Sequence, residues 1–145
     1  MQADRAGNMS SIQWKAGIYG GLIAGLVFGV MMGMMGMLGM VARVVGSESA
    51  LVGFLYHLFN SAVIGALFAP LLGRFSTDKV KGLAFGILYG VSWWFLGPLI
   101  LMPLLLGMGT MLSLQGMQMA LPSLLGHLIF GGILGVLYPV FAKKN

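Results

Sequence analysis

Two histidines are the only side chains in the apolar part of the chain that titrate near neutral pH. His57 and His127 each lie inside a long uncharged stretch. An ionisable side chain within a membrane is by default a functional hypothesis. Three interpretations stay open: a neutral imidazole that hydrogen-bonds a neighbouring carbonyl, a pair of ligands to a haem b iron, and copper ligands that act together with methionines.

The methionines form two blocks. Apart from Met1 and Met9, all of them lie within 31–40 or 102–119. Thioethers are soft ligands that suit Cu(I), and imidazole suits copper too, so a copper site would draw on Met34, Met37, Met108 and Met111. Methionine is also a flexible filler of irregular packing. Because glycines interrupt the first block, its thioethers point in several directions, which favours packing or contact with a partner.

The composition places the chain in a lipid bilayer. Hydrophobic residues make up 59% and charged residues 8%, against about a quarter charged in a soluble domain. There are no cysteines, which excludes disulfides, thiolate metal sites and iron–sulfur clusters. No catalytic triad, phosphate loop, zinc motif or nucleotide fingerprint occurs. The sequence therefore predicts neither an enzyme that works alone nor, since its basic residues are scattered, a nucleic-acid-binding protein.

Three uncharged stretches, 16–42, 49–73 and 82–142, hold the membrane spans. A spanning helix needs about 20 apolar residues, and lipid offers the backbone no hydrogen-bond partners, so the spans should be helical. The third stretch is long enough for two helices, divided by the Gly-, Ser-, Thr- and Gln-rich segment 107–119. The predicted fold is an all-α membrane protein with four transmembrane helices, over 16–42, 50–72, 82–104 and 120–141.

The basic residues predict the orientation. Only Arg43 lies at the opposite end of the predicted helices from the other basic residues, which are Arg5, Lys15, Arg74, Lys79, Lys81, Lys143 and Lys144. Both termini are therefore expected in the cytoplasm, with the protein in the inner membrane of a prokaryote. Residues 1–15 form a polar cytoplasmic segment in this prediction, and 16–145 form a single transmembrane domain.

The two halves of the domain, about 16–74 and 82–142, resemble each other. His57 aligns with His127 and Gly65 with Gly135 at an offset of 70, whereas the first and third helices align at an offset of 65. A unit of two helices preserves the direction of the chain. The pattern therefore predicts a tandem repeat of two parallel-related helical hairpins, with a pseudo-two-fold axis along the membrane normal.

Glycines recur at every fourth position on the first and third predicted helices. Residues four apart share a helix face, and a row of glycines lets another backbone approach closely. The spacing predicts helix packing through Gly17, Gly21, Gly25, Gly29 and Gly33, and through Gly82, Gly86 and Gly90. The first row is longer than one partner helix needs, so part of it is expected to contact another subunit.

The segment Gly126-His-Leu-Ile-Phe-Gly-Gly-Ile-Leu-Gly-Val-Leu-Tyr138 resembles an element of small uncharacterised four-helix inner-membrane proteins of prokaryotes. Some of these are found in the neighbourhood of terminal oxidases. A weaker copy of the element runs from Tyr56 to Gly65. The resemblance implies membership of a respiratory or other membrane complex, and it assigns no catalytic residue.

These observations predict a small non-catalytic integral membrane subunit of a larger complex, with lipid and other membrane subunits as its partners. The main alternative is an electron carrier in which His57 and His127 ligate haem b, or copper together with methionines. A second alternative is a carrier or channel for a small neutral or hydrophobic solute, lined by the glycine faces.

Overall fold

The computed structural model describes residues 12–143 and confirms the four-helix, all-α membrane fold. Within these residues, four helices are long and apolar enough to cross a membrane. Most of the predicted polar segment 1–15, and Lys144, lie outside the described residues. In chain order the elements are α1 (Trp14–Met34), α2 (Leu38–Arg43), α3 (Ala50–Leu72), α4 (Lys79–Leu96), a π-helical turn (Gly97–Leu101), α5 (Met102–Leu105) and α6 (Leu114–Ala142).

The first helix ends earlier than predicted. The sequence predicts one helix over 16–42, but α1 ends at Met34 and the short helix α2 follows. Gly36 has a φ of 70°, a conformation that glycine adopts without steric cost. The Gly36 amide donates to Gly33 O at 3.1 Å and the Met37 amide to Met32 O at 2.9 Å. This pair of bonds is a Schellman motif, which satisfies the last carbonyls of α1 and turns the chain.

The last helix begins earlier than predicted. It starts at Leu114 rather than near residue 120, because the Ser113 side chain accepts a hydrogen bond from the Gly116 amide at 3.1 Å and caps the first turn. Pro122 therefore lies inside α6 rather than in its first turn. The break between the last two spans is correspondingly shorter than the predicted segment 107–119.

Proline changes the helical geometry of the third span. A proline inside a helix removes one amide donor and clashes with the preceding turn. The helix accommodates Pro98 by widening into the π-helical turn Gly97–Leu101 before α5 continues it to Leu105. The third span thus runs from Lys79 to Leu105, three residues earlier at its start than predicted.

Asp78 caps the start of α4. Its Oδ1 accepts hydrogen bonds from the Lys81 amide at 2.9 Å and the Val80 amide at 3.0 Å. The bond from the Lys81 amide is the main reason that the pKa of this carboxyl lies below its ordinary value, which is about 3.9. The cap therefore stabilises α4 at neutral pH.

We expect this stabilisation to depend on pH in one direction. Because the folded pKa is lowered, the contribution of Asp78 is present above about pH 4 and is lost as the pH falls through the lowered value. Thermal unfolding in detergent should show wild-type protein losing stability between pH 6 and pH 3. Asp78→Asn, which keeps a capping oxygen without a titrating group, should lose less over that range, and equal losses would contradict the assignment.

The four spans form a bundle with three closely packed sides and one open side. Helix α1 packs against α3 and α6, and α6 packs against α4. The order around the bundle is therefore α3, α1, α6, α4. The open side lies between α3 and α4. In the most apolar stretch of each span, 44% of the residues of α1 and of α6 are buried, against 22% in α3 and in the third span.

Helix α1 occupies one of the two inner positions, the other being that of α6, because it has two small-residue faces. Gly17, Gly21 and Gly25 meet α3, where a Cβ on any of them would overlap Gly65 or Ser61. One residue earlier in each turn, Gly20 lies against Leu134 of α6 and Ala24 is fully buried. Two neighbours can thus approach one helix at once.

Candidate functional site

Helices α1 and α3 form one long hairpin, and α4 and α6 form the other. Within each hairpin the two helices pack through matching glycine contacts. Between α1 and α3, Gly17 and Gly21 lie against Gly65, and a Cβ on Gly65 would overlap the Gly17 carbonyl. Between α4 and α6, a Cβ on Gly82 would overlap Gly135 O, one on Gly86 would overlap Gly131 O, and one on Gly90 would overlap His127 O. The pairs Gly17–Gly65 and Gly82–Gly135 are related by the offsets of 65 and 70 along the two halves.

Not every predicted packing glycine lies at such a contact. Gly29 faces the Phe54 and His57 rings of α3. Gly33 is exposed, and a Cβ there would meet only Leu38 Cδ1 at 3.4 Å. The reason is the turn that ends α1 at Met34, after which the short helix α2 takes over the contact with α3 and Leu38 O lies against Gly53.

Phe28 connects the two histidines in the centre of the bundle. This α1 side chain is 5% exposed. Its ring centroid lies 5.3 Å from that of His57 on α3 and 4.9 Å from that of His127 on α6, edge-on in both cases. Gly126 makes room for the ring, since a Cβ at that position would overlap it. The histidines are therefore brought to one region of the bundle, as neighbours of a single phenylalanine.

Both imidazoles are hydrogen-bonded inside the protein. His57 Nε2 donates to Gly25 O of α1 at 3.0 Å, and the Ser61 hydroxyl donates to His57 O at 2.8 Å. His127 Nδ1 donates to Ser123 O on its own helix at 2.8 Å. The two rings are thus held as different tautomers. His57 links two helices, whereas His127 is fixed to α6.

This arrangement does not offer the pair to one haem iron. An axial imidazole binds through a ring nitrogen free of its proton, which in these tautomers is Nδ1 of His57 and Nε2 of His127. A haem shared by both imidazoles would need the space that the Phe28 ring fills. We therefore derive no chemistry through a haem from the pair His57 and His127.

The four candidate copper methionines differ in their surroundings. Met34 is 84% exposed and Met108 68% exposed, whereas Met37 packs against the hydrophobic core. Met111 lies in the loop between α5 and α6, and its amide donates to Leu99 O at 2.8 Å. Among residues 12–143, no group of three or more histidine or carboxylate side chains is placed to hold a metal ion. The copper site stays a prediction.

A groove opens on the loosely packed side of the bundle. It has a volume of about 280 Å³ and is lined by two residues of α3 and five of α4: Leu71, Leu72, Leu88, Tyr89, Ser92, Trp93 and Leu96. The Ser92 hydroxyl donates to Leu88 O at 2.9 Å, and the Tyr89 hydroxyl donates to Ile64 O of α3 at 2.7 Å. Because both hydroxyls are occupied, the groove presents an apolar surface.

Bulky side chains on α4 hold this side open. At the offset of 65, Phe85, Tyr89 and Trp93 take the places that Gly20, Ala24 and Phe28 have on α1. The small row lets α1 approach α6. The large side chains of α4 instead extend towards α3 and the turn after it. The Tyr89 ring lies 5.2 Å from the Phe68 ring of α3, and the Phe85 ring lies 5.5 Å from the Phe75 ring of the turn. Large side chains on α4, in place of the small ones on α1, therefore keep the backbones of α3 and α4 apart and leave the groove between them.

Sequence reasoning missed Phe28 and the groove. The signal for Phe28 was its position on the Gly20–Ala24 face, four residues after Ala24. The signal for the groove was the aromatic row itself, which the pattern of glycines obscured. Comparison with protein-family models, curated proteins and solved structures finds no match for this chain.

The two histidines should differ in their effect on stability. His57→Leu removes a bond between α1 and α3, and an interhelical bond of this kind contributes about 0.6–2 kcal/mol in membranes. His127→Leu removes a bond within α6, so we expect a smaller loss. Reversible unfolding in mixed detergent micelles measures both variants. A larger loss for His127→Leu would contradict the assigned hydrogen bonds.

Proposed function

We propose that the protein is a small non-catalytic integral membrane subunit of a larger membrane complex, located in the prokaryotic inner membrane with both termini in the cytoplasm. Membership of a respiratory complex fits the resemblance of its last helix. In this proposal the two hairpins form a compact unit around α1, and the outer surfaces of α3 and α4 contact other subunits.

The observation that carries the proposal is the unequal burial of the four spans. Helices α3 and α4 bury half the fraction that α1 and α6 bury. Apolar side chains occupy every fourth position on the exposed side of α3: Leu51 is 66%, Leu55 58%, Phe59 65%, Val63 43%, Leu67 38% and Leu71 57% exposed. Such a ridge of apolar side chains suits ridges-into-grooves packing against another transmembrane helix.

The polar groups within the spans support a non-catalytic role. No side-chain nitrogen or oxygen buried in the described part of the chain lacks a hydrogen bond. His57 donates to Gly25 O of α1, and His127 donates to Ser123 O of its own helix. Both bonds are therefore structural contacts within the bundle. An intramembrane carboxylate, which a proton pump or cation carrier normally uses, is lacking from the spans among residues 12–143.

Extraction from native membranes in mild detergent tests the proposal. We expect the 15.4 kDa chain to migrate with companion subunits in fixed stoichiometry. A photo-crosslinking residue at Phe59 should join it to one of them, whereas one at Leu26, on the exposed side of α1, should not. A monodisperse colourless monomer without companions would contradict the proposal. A Soret band that disappears in His57→Ala or His127→Ala would favour the electron carrier instead.

A further inference from the structure

We propose that the groove between α3 and α4 binds one anionic phospholipid, with an acyl chain along the groove and the phosphate at Arg74 and Lys79. The proposal concerns a ligand of the bundle itself. It stands or fails separately from membership of a complex.

The walls of the groove determine which part of a ligand can lie there. Five of the seven lining residues are leucine or tryptophan. The hydroxyls of Ser92 and Tyr89 donate to backbone carbonyls, so they offer no hydrogen to an occupant. A polar group of a ligand would find no donor among these hydroxyls, and burying it unpaired costs free energy. The part of the ligand that lies in the groove is therefore apolar. The groove lies on the spanning helices α3 and α4, so in a membrane it faces the acyl chains of the lipids.

The loop at one end of the groove supplies positive charge. Leu71 and Leu72 line the groove, and Arg74 follows two residues later, in the turn that leads to α4. Both Arg74 and Lys79 are exposed. The Arg74 guanidinium lies 4.5 Å from the Phe75 ring centroid. This contact holds the guanidinium against the turn between α3 and α4.

These two charges are not neutralised by the protein. The described residues contain two acidic side chains, and each is paired: Glu48 with Arg43 at 3.4 Å and Asp78 with Lys81 at 3.6 Å. Arg74 and Lys79 therefore have no acidic partner within residues 12–143. Asp78 also occupies the amide donors at the start of α4, so an anion here would be held by the basic side chains. An apolar groove with two uncompensated cations in the turn and first helical residue that follow Leu71 and Leu72 is complementary to an acyl chain with an anionic head.

Native mass spectrometry of the full-length protein tests the proposal, with phosphatidylglycerol or phosphatidylcholine added to the detergent. We expect one phosphatidylglycerol to remain bound where phosphatidylcholine does not. Arg74→Gln should weaken its retention about fivefold, the factor that one basic side chain contributes near an anionic surface, and Arg74→Gln/Lys79→Gln about 25-fold. The control is Lys15→Gln, at the same end of the bundle but on α1, which should change retention less than twofold.

A second pair of variants tests the acyl chain. Ser92→Trp fills the groove and should abolish the bound lipid, whereas Val91→Trp, one residue away and outside the lining, should leave it. Size-exclusion profiles and melting temperatures show whether each variant is folded. Equal weakening by Lys15→Gln and Arg74→Gln would show only attraction to the whole basic end and would overturn the proposal. Undiminished lipid in folded Ser92→Trp would overturn it as well.

Discussion

Gly131→Ala should destabilise the protein by more than about 2 kcal/mol, at the upper end of what overpacking costs in a core. A Cβ on Gly131 would overlap the Gly86 carbonyl and lie 2.9 Å from the Gly90 amide nitrogen. Both are backbone atoms, so no side-chain rotation relieves the overlap. Helices α4 and α6 would have to separate, and the neighbouring contacts of Gly82 with Gly135 would be lost with them.

Gly132→Ala is the matched control for this variant. It is the next residue of the same helix, and a Cβ there would meet only Leu83 Cδ1 at 3.4 Å. Alanine is favoured over glycine within a helix by up to about 1 kcal/mol, so stability should be unchanged or higher. Reversible unfolding in mixed detergent and lipid micelles compares the two. Equal stability of Gly131→Ala and Gly132→Ala would show that the α4–α6 contact is not made through this face.

Phe28→Ala should have the second largest effect, a loss of about 2–3 kcal/mol. The substitution removes a buried ring that contacts both imidazoles. In a soluble core it would cost about 3–5 kcal/mol. We expect less in a membrane, because the unfolded reference state remains in lipid and only packing is lost. Phe59→Ala, at a side chain that is 65% exposed, should change the free energy of unfolding little.

A double substitution distinguishes packing at Phe28 from a general loss of stability. A Cβ on Gly126 would overlap the Phe28 ring, so Gly126→Ala alone should be destabilising. In the Phe28→Ala background the overlap is gone, and Gly126→Ala should then be neutral or stabilising. The two effects are therefore strongly non-additive in this account. Additive losses would place Phe28 somewhere other than against Gly126.

Hydrophobicity was sufficient to predict the four spans. The second helix was predicted over 50–72 and is found at Ala50–Leu72, because Ser49 caps its start and the polar turn after Leu72 ends it. His57 lies in a row with Gly53, Ser61 and Gly65, and His127 in a row with Ser123, Gly131 and Gly135, and the small residues of both rows are buried. Ser61 and Ser123 in these rows are 2% and 6% exposed.

Boundaries that depend on a single turn could not be predicted in the same way. Gly36 follows the row of glycines that indicates helix packing, yet its positive φ ends α1. The partner of His57 could not be identified either, since Gly25 O is a backbone atom brought close only by packing of α1 against α3. The internal repeat stays a prediction, with which the matching contacts of Gly17 with Gly65 and Gly82 with Gly135 agree.

Disulfide crosslinking tests the packing order α3, α1, α6, α4 most directly, because the chain has no cysteines of its own. A Cβ on Gly20 of α1 would lie 3.8 Å from Leu137 Cβ of α6, the usual separation of a disulfide. We expect Gly20→Cys/Leu137→Cys to form an intramolecular disulfide in native membranes under mild oxidation. Leu22→Cys/Leu137→Cys, on the opposite face of α1, should remain reduced. Failure of the first pair to crosslink, or equal crosslinking by both pairs, would contradict the contact between α1 and α6 and with it the packing order.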